Sequence, residues 1–191
     1  MALRNGNYRK AEVTLRDVLP LQEKEFGSTP NPNIAFTHTA LGQLALARKD
    51  LRTAEREFEI SVEMNSALYG KLDLKTAQSM SNLADVFVRE GQYRRAEMTV
   101  LPAIHAFAQH PSSLNYNAGV ANLHLGEALL GERREKEALA ALADANNILR
   151  TAPPSFARKL EESRRDLVVA YLGLHEPNKA ALYRFDAAKP K

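Results

Sequence analysis

The chain has 191 residues, 45% hydrophobic and 26% charged, which is the balance of one folded domain or of an elongated array of smaller units. It has no cysteine, which excludes disulfides, thiolate metal sites and cysteine nucleophiles. The net charge of +3 comes wholly from residues 151–191, because residues 1–150 carry 18 basic and 18 acidic side chains; the dense basic stripe that phosphate contacts need is missing, which argues against a nucleic-acid partner.

The first predicted helix spans 7–26, opening in Gly6-Asn7-Tyr8-Arg9-Lys10-Ala11-Glu12 and closing at Gly27. No apolar segment precedes it, so no secretory signal is visible. Asn31-Pro32 starts a helix over 34–48, and Asp50 starts another over 51–69 that Gly70 stops. Helices follow at 74–90 and 93–109, then at 115–131 and 135–150. Pro153-Pro154 stops the last of these before a helix at 157–173, and Glu176-Pro177 opens a final one over 177–187. Pro20 and Pro102 sit inside predicted helices, where proline costs about 3 kcal/mol in an ordinary interior. A solvent-facing bend and a functional hinge both fit them. Residues 98–126 lack Asp, Glu, Lys and Arg for 29 positions, yet contain no 18-residue apolar run, so they do not read as a membrane span.

A repeat orders these elements. Ala11, Ala54, Ala96, Ala138 and Ala180 are spaced 43, 42, 42 and 42, and Leu41, Leu83, Leu125 and Leu167 are each 42 apart. The one extra residue falls within the loop 28–33, where insertion is cheap. Apolar or small residues recur four and seven positions after each alanine, as in Leu15 and Val18 or Leu142 and Ala145. Each unit is therefore an antiparallel helix pair, the leucine on its first helix and the alanine on its second.

The residues Leu41-Gly42, Leu125-Gly126, Gly91-x-Tyr93-x-x-Ala96 and the alanine-x3-apolar spacing resemble the tetratricopeptide repeats, whose motif has this leucine–glycine … alanine form. The 42-residue period, Asn82-Leu83-Ala84 and Tyr69-Gly70 look most like the kinesin-light-chain subtype. The resemblance covers residues 6–187 and departs at Val168 and Arg184, which suggests a frayed or capping last pair and looser packing at Leu167. It implies an all-α, right-handed superhelical solenoid of antiparallel helix pairs, about four full units plus an N-terminal half unit. The units lie near 1–27 (partial), 33–70, 74–111, 115–152 and 157–187. Small residues beside the leucine let two helix backbones approach, and stacking completes a core that no pair buries alone.

No motif for catalysis or cofactor binding occurs. His105 and His110 are close in sequence but have no neighbouring carboxylate, and Pro111 ends their helix. His38, His124 and His175 read as surface or hydrogen-bonded core histidines, and Glu161-Glu162 and Glu132/Glu135 as solvated helix faces among arginines. The expectation is no metal, no cofactor and no enzyme.

In the family, first helices line a concave face that binds peptides. Carried over by register, the groove residues are Thr39, Ala40, Gln43 and Leu46, then Ser81, Asn82, Asp85 and Val88. The later units give Leu123, His124, Glu127 and Leu130, and Glu162, Arg165, Asp166 and Val169. Asn82 could bond a peptide main chain, while the Lys, Asn and Arg of a carboxylate clamp are matched by Asn82 alone. The resemblance thus implies a cytoplasmic protein–protein interaction scaffold with a protein or peptide partner and no membrane or nucleic acid. The alternative is a regulatory or sensor segment of a larger kinase or transcription regulator, motivated by the absence of room for a first helix before Ala11.

Overall fold

The computed structural model describes residues 8–27, 29–110 and 116–183. Among them are nine α-helices and no strand: α1 (Tyr8–Phe26), α2 (Pro32–Ala47), α3 (Leu51–Tyr69), α4 (Leu74–Arg89), α5 (Tyr93–Gln109), α6 (Tyr116–Gly131), α7 (Glu135–Leu149), α8 (Ala157–Gly173) and α9 (Pro177–Ala181). A single 3-10 turn, Pro154–Phe156, leads into α8. The boundaries fall within two residues of those expected, except that α9 ends at Ala181. Arg184, expected within it, lies outside the described residues.

Local chemistry sets the starts. The Asn31 side chain accepts the Asn33 N–H at 2.8 Å with Pro32 at the first helical position, and Asp50 and Asp73 cap α3 and α4 in the same manner. The stops of the first helices are one motif used four times. Asp50, Gln92, Arg134 and Glu176 donate their N–H groups to the carbonyls of Ala45, Phe87, Leu129 and Tyr171, five residues back. The residue before each donor takes a positive φ: Lys49 (63°), Gly91 (73°), Arg133 (60°) and His175 (60°). Only one of the four is glycine, the residue that adopts this conformation without steric cost.

Consecutive helices pack throughout the chain, and α4 also touches α6, and α6 touches α8. First helices thus form an inner layer in contact with itself, with the second helices outside it. The repeat alanines Ala54, Ala96, Ala138 and Ala180 are completely buried, as their spacing implied. Three apolar clusters follow one another along the array. Phe58, Leu83, Val86 and Phe87 form one, and Val100, Ala103, Ala106 and Phe107 the next. The third contains Leu123, Leu129, Leu142, Leu149 and Leu167.

The small residue beside each leucine is sized to its partner four residues past the repeat alanine. A Cβ on Gly42 would lie 2.7 Å from the Phe58 ring, and one on Gly126 would lie 2.4 Å from Leu142. Where the partner is the smaller Val100, alanine (Ala84) fits, and both are buried in one cluster. The register partner of Val168 is residue 184, which lies outside the described residues. Gly126→Ala should therefore overpack this seam and lower stability by about 1–3 kcal/mol, read as a shift in urea midpoint with unchanged slope. A neutral result would mean that the helices can part without loss.

Leu125 and Leu167 depart from expectation. Leu167 is fully buried, whereas Leu125 is only half-buried between two clusters, so the terminal unit is not the loose one at this position. Pro20 and Pro102 are exposed within uninterrupted helices α1 and α5.

Candidate functional site

The inner face has two regions of different chemistry. Around α2 and α4 it is amide-rich and apolar. Thr39, Ala40 and Gln43 line a groove of about 310 Å³ together with Phe36, Tyr69, Lys75 and Gln78. Phe36 is 69% exposed, and Lys75 Nζ lies 4.2 Å from the Tyr69 ring centroid while donating to its hydroxyl at 3.1 Å. Beneath the groove a chain of hydroxyls joins three helices: Thr39 Oγ1 to Ser61 Oγ at 2.7 Å, Ser61 to Ser79 at 2.9 Å, and Asn65 Nδ2 donating to Ser79 at 3.0 Å.

Around α4, α6 and α8 the inner face is a cluster of charges. Asp85 accepts from Arg89 Nε at 2.8 Å, and its other oxygen is 3.8 Å from Lys159 Nζ and 3.9 Å from His124 Nε2. Lys159 Nζ also pairs with Glu162 at 3.0 Å and lies 3.3 Å from His124 Nε2. An ammonium can only donate, so His124 Nε2 is the acceptor. Nδ1 then carries the proton and donates to Ser81 Oγ at 3.2 Å.

Protonation follows from burial and neighbours. Burial, then the Lys159 charge, brings fully buried His124 down to about 4, leaving it neutral near pH 7. Burial would raise Asp85, but His124, protonated at the low pH where Asp85 titrates, together with Lys159 and Arg89 brings it down to about 2. Burial pushes Glu127 up to about 8; Lys159 opposes this, but the charges of Asp85, Asp166 and Glu162 add to it. Burial raises Asp166 as well, with the exposed Arg165 a weak counterweight. For Lys159, burial is outweighed by Asp85, Glu127 and Glu162, which hold the ammonium charged.

Asp85, His124 and Glu127 present atoms within 4.8 Å of one another, a spacing that could hold a metal ion. The Lys159 ammonium already stands against two of the three, so a cation is supplied from within the chain. His105 and His110 are exposed at the end of α5 and join no such group among the described residues. A second histidine is matched elsewhere: His38 Nδ1 lies 2.7 Å from Glu57 Oε2, and both side chains are buried.

The sequence-derived groove residues are therefore divided. Thr39, Ala40 and Gln43 line the open groove, and Ser81, Asp85, His124, Glu127, Glu162 and Asp166 fall in or beside the charged cluster. Arg165 is exposed at its rim, and the half-buried Asn82 has an amide nitrogen with no hydrogen-bond partner among the described residues. Leu123 is a correction: it is fully buried in the apolar core shared by α6, α7 and α8 and offers no groove surface. Sequence reasoning missed Phe36 and Lys159. The register itself held the signal. Glu162 stands 18 residues before its alanine, as Phe36 and Gln78 do before theirs, while Lys159 and Lys75 both stand 21 before.

Comparison with known proteins places this architecture. Residues 33–100 match the tetratricopeptide repeat family. Among solved structures, BtubC (BKLC) from P. vanneervenii superposes with a TM-score of 0.77 at 18% identity, over 96% of this chain and 72% of that one. Two crystal structures of the nearly identical TPR-like repeats of a Podosopora anserina kinesin-light-chain candidate give TM-scores of 0.76 and 0.74 at 19% identity. They align over 95% of this chain and 85–86% of those chains. No curated protein matches the sequence. The fold is a tetratricopeptide-like solenoid, with the kinesin-light-chain-like character that the 42-residue period implied. Tetratricopeptide repeats in general mediate protein–protein interaction.

Proposed function

We propose that this tetratricopeptide-like solenoid is a non-catalytic interaction scaffold that receives an extended segment of a partner protein along its inner face. The observation carrying this reading is the groove between α2 and α4. It joins an exposed aromatic ring, Phe36, to the amides of Gln43 and Gln78 on the layer where first helices meet. An apolar anchor beside groups that both donate and accept suits a peptide whose main chain needs hydrogen bonds. No helix among the described residues is long and apolar enough to cross a membrane, which fits a partner met in water.

Site-directed photo-crosslinking tests the placement. A photoreactive residue at Gln43 on the inner face should trap partner protein from native extract. The same residue at Met98, 67% exposed on the outer helix α5, should not. Adducts formed equally from both positions would reject the inner-face assignment.

A further inference from the structure

We infer that the edge of the array formed by the turns from first to second helices is a docking ridge for an acidic, extended segment of a partner protein. This surface lies outside the inner-face groove and does not depend on it.

The ridge follows the repeat. Two residues before the repeat alanines stand Arg52, Arg94 and Lys136, and five residues before them stand Lys49, Gly91 and Arg133. The first set lies in the opening turns of α3, α5 and α7, and the second occupies the tips of the hairpins that precede them. Each hairpin stacks on the one before in the same sense, so all five cations fall on one edge, and all five are exposed. None has an ion pair or a side-chain hydrogen bond among the described residues. The carboxylates of the same turns are taken by other groups. Glu55 pairs with Arg95, and Glu97, Glu132 and Glu137 all pair with Arg134. Asp50 caps α3, Glu90 accepts from Gln92, and Glu135 lies against Gly173 of α8.

Neither kind of position favours a cation for the sake of the fold. The start of a helix carries partial positive charge, so acidic side chains stabilise it and Arg52, Arg94 and Lys136 do not. The first turns of α3 and α5 hold no acidic residue. Lys49 and Arg133 have φ of 63° and 60°, in the left-handed region that glycine enters without steric cost and that Gly91 occupies at the same register. Over three successive turns, a basic side chain thus stands where stability prefers another residue. A favourable partner supplied from outside the chain accounts for both departures.

Spacing selects that partner. First helices pack directly on one another, as α4 does on α6, so successive turns stand about 10 Å apart. An extended polypeptide covers this step with about three residues of roughly 3.3 Å each. Carboxylates at one or two of every three positions would meet Lys49 and Arg52, then Arg94, then Arg133 and Lys136. A nucleic-acid strand carries a phosphate about every 3.4 Å of axis, and five cations over three turns leave most of those unmatched. The fourth turn has His175 and Asn178 at the two positions, so the ridge ends before it.

The test uses the full chain and a fluorescein-labelled peptide of Glu-Glu-Gly repeats, beside its Gln-Gln-Gly counterpart and an oligothymidylate of equal length. Anisotropy is read at low ionic strength, about 50 mM. The glutamate peptide should bind saturably, and the glutamine peptide at least about tenfold more weakly. Combining Arg52→Gln, Arg94→Gln and Lys136→Gln should weaken the glutamate peptide about tenfold or more, with the urea midpoint unchanged or higher because these cations oppose the helix dipoles. Lys24→Gln, Lys71→Gln and Arg150→Gln together remove the same charge from exposed sites at the opposite edge and should change affinity less than about twofold. Equal losses in the two triple variants would reduce the effect to net charge and overturn the ridge. Unchanged affinity in the first variant, equal binding of both peptides, or no saturable binding would overturn it as well. An oligothymidylate bound as tightly as the glutamate peptide through the same three residues would overturn the acidic-segment assignment in favour of a nucleic acid.

Discussion

Replacing Phe58 with alanine should cost about 3–5 kcal/mol, the range for removing a fully buried aromatic side chain. Phe58 has no exposed surface and packs in one cluster with Leu83, Val86 and Phe87, its ring lying over Gly42. The space it leaves cannot close, because the backbones on both sides are held by their own hydrogen bonds. In a linear array the damage should be local. Amide protection should fall across α2 to α5 and persist in α7 and α8, since coupling passes only between neighbours. Leu167→Ala should do the reverse, costing about 2–5 kcal/mol and exposing α8 and α9 first, because Leu167 is equally buried. Urea unfolding with segment-resolved hydrogen exchange measures both. Uniform loss of protection in either variant would reveal one cooperative globule and sink the array description.

The second large effect concerns Lys159. Lys159→Met keeps most of the apolar stem and removes the charge that Asp85 and Glu162 share, which should cost about 3–5 kcal/mol near neutral pH. The sign of its pH dependence is fixed. The folded pKa of Asp85, about 2, is below its ordinary 3.8, so its stabilisation is present above pH 3.8 and lost as pH falls towards 2. Part of that depression is the work of Lys159. Glu127 behaves oppositely: raised from 4.5 to about 8, it favours the folded state least at high pH, and losing Lys159 moves it further up. The deficit of the variant should therefore be small near pH 3, grow as pH rises past 3.8 and level off by about pH 6, with the Glu127 difference emerging only near and above pH 8. Urea unfolding at pH 3, 5 and 7 would show this, and a deficit independent of pH would mean that Lys159 acts through packing alone.

The period was legible in the sequence because every hairpin solves one geometric problem with the same contacts. The fully buried alanines, the leucine series, the ends of the first helices and the starts of the second helices all repeat at 42 residues, so an error at one unit is corrected by the next. Burial was less legible. Leu125 and Leu167 share a register, yet their exposure depends on which neighbours fill the adjoining layer. The charged cluster was half visible. Its carboxylates and His124 fall at groove positions, but Lys159 reaches His124 from 35 residues away and Ser81 from 43. No local pattern announces that meeting. Leu123 was misplaced because register alone does not say which side of a helix the core takes.

The four left-handed residues at Lys49, Gly91, Arg133 and His175 bear on how such a chain can grow or shrink. Each marks a point where dihedral angles and flanking hydrogen bonds match those one period away. Excising a whole period between two such points joins ends of matching conformation, and duplicating one does the same. The side chains on either side are less interchangeable, since Gly126 is fitted to Leu142 and Ala84 to Val100. A seam at the hairpin, with helix pairs kept intact, preserves those fits. The array is thus editable in length at its tightest turns, where the backbone alone defines the joint.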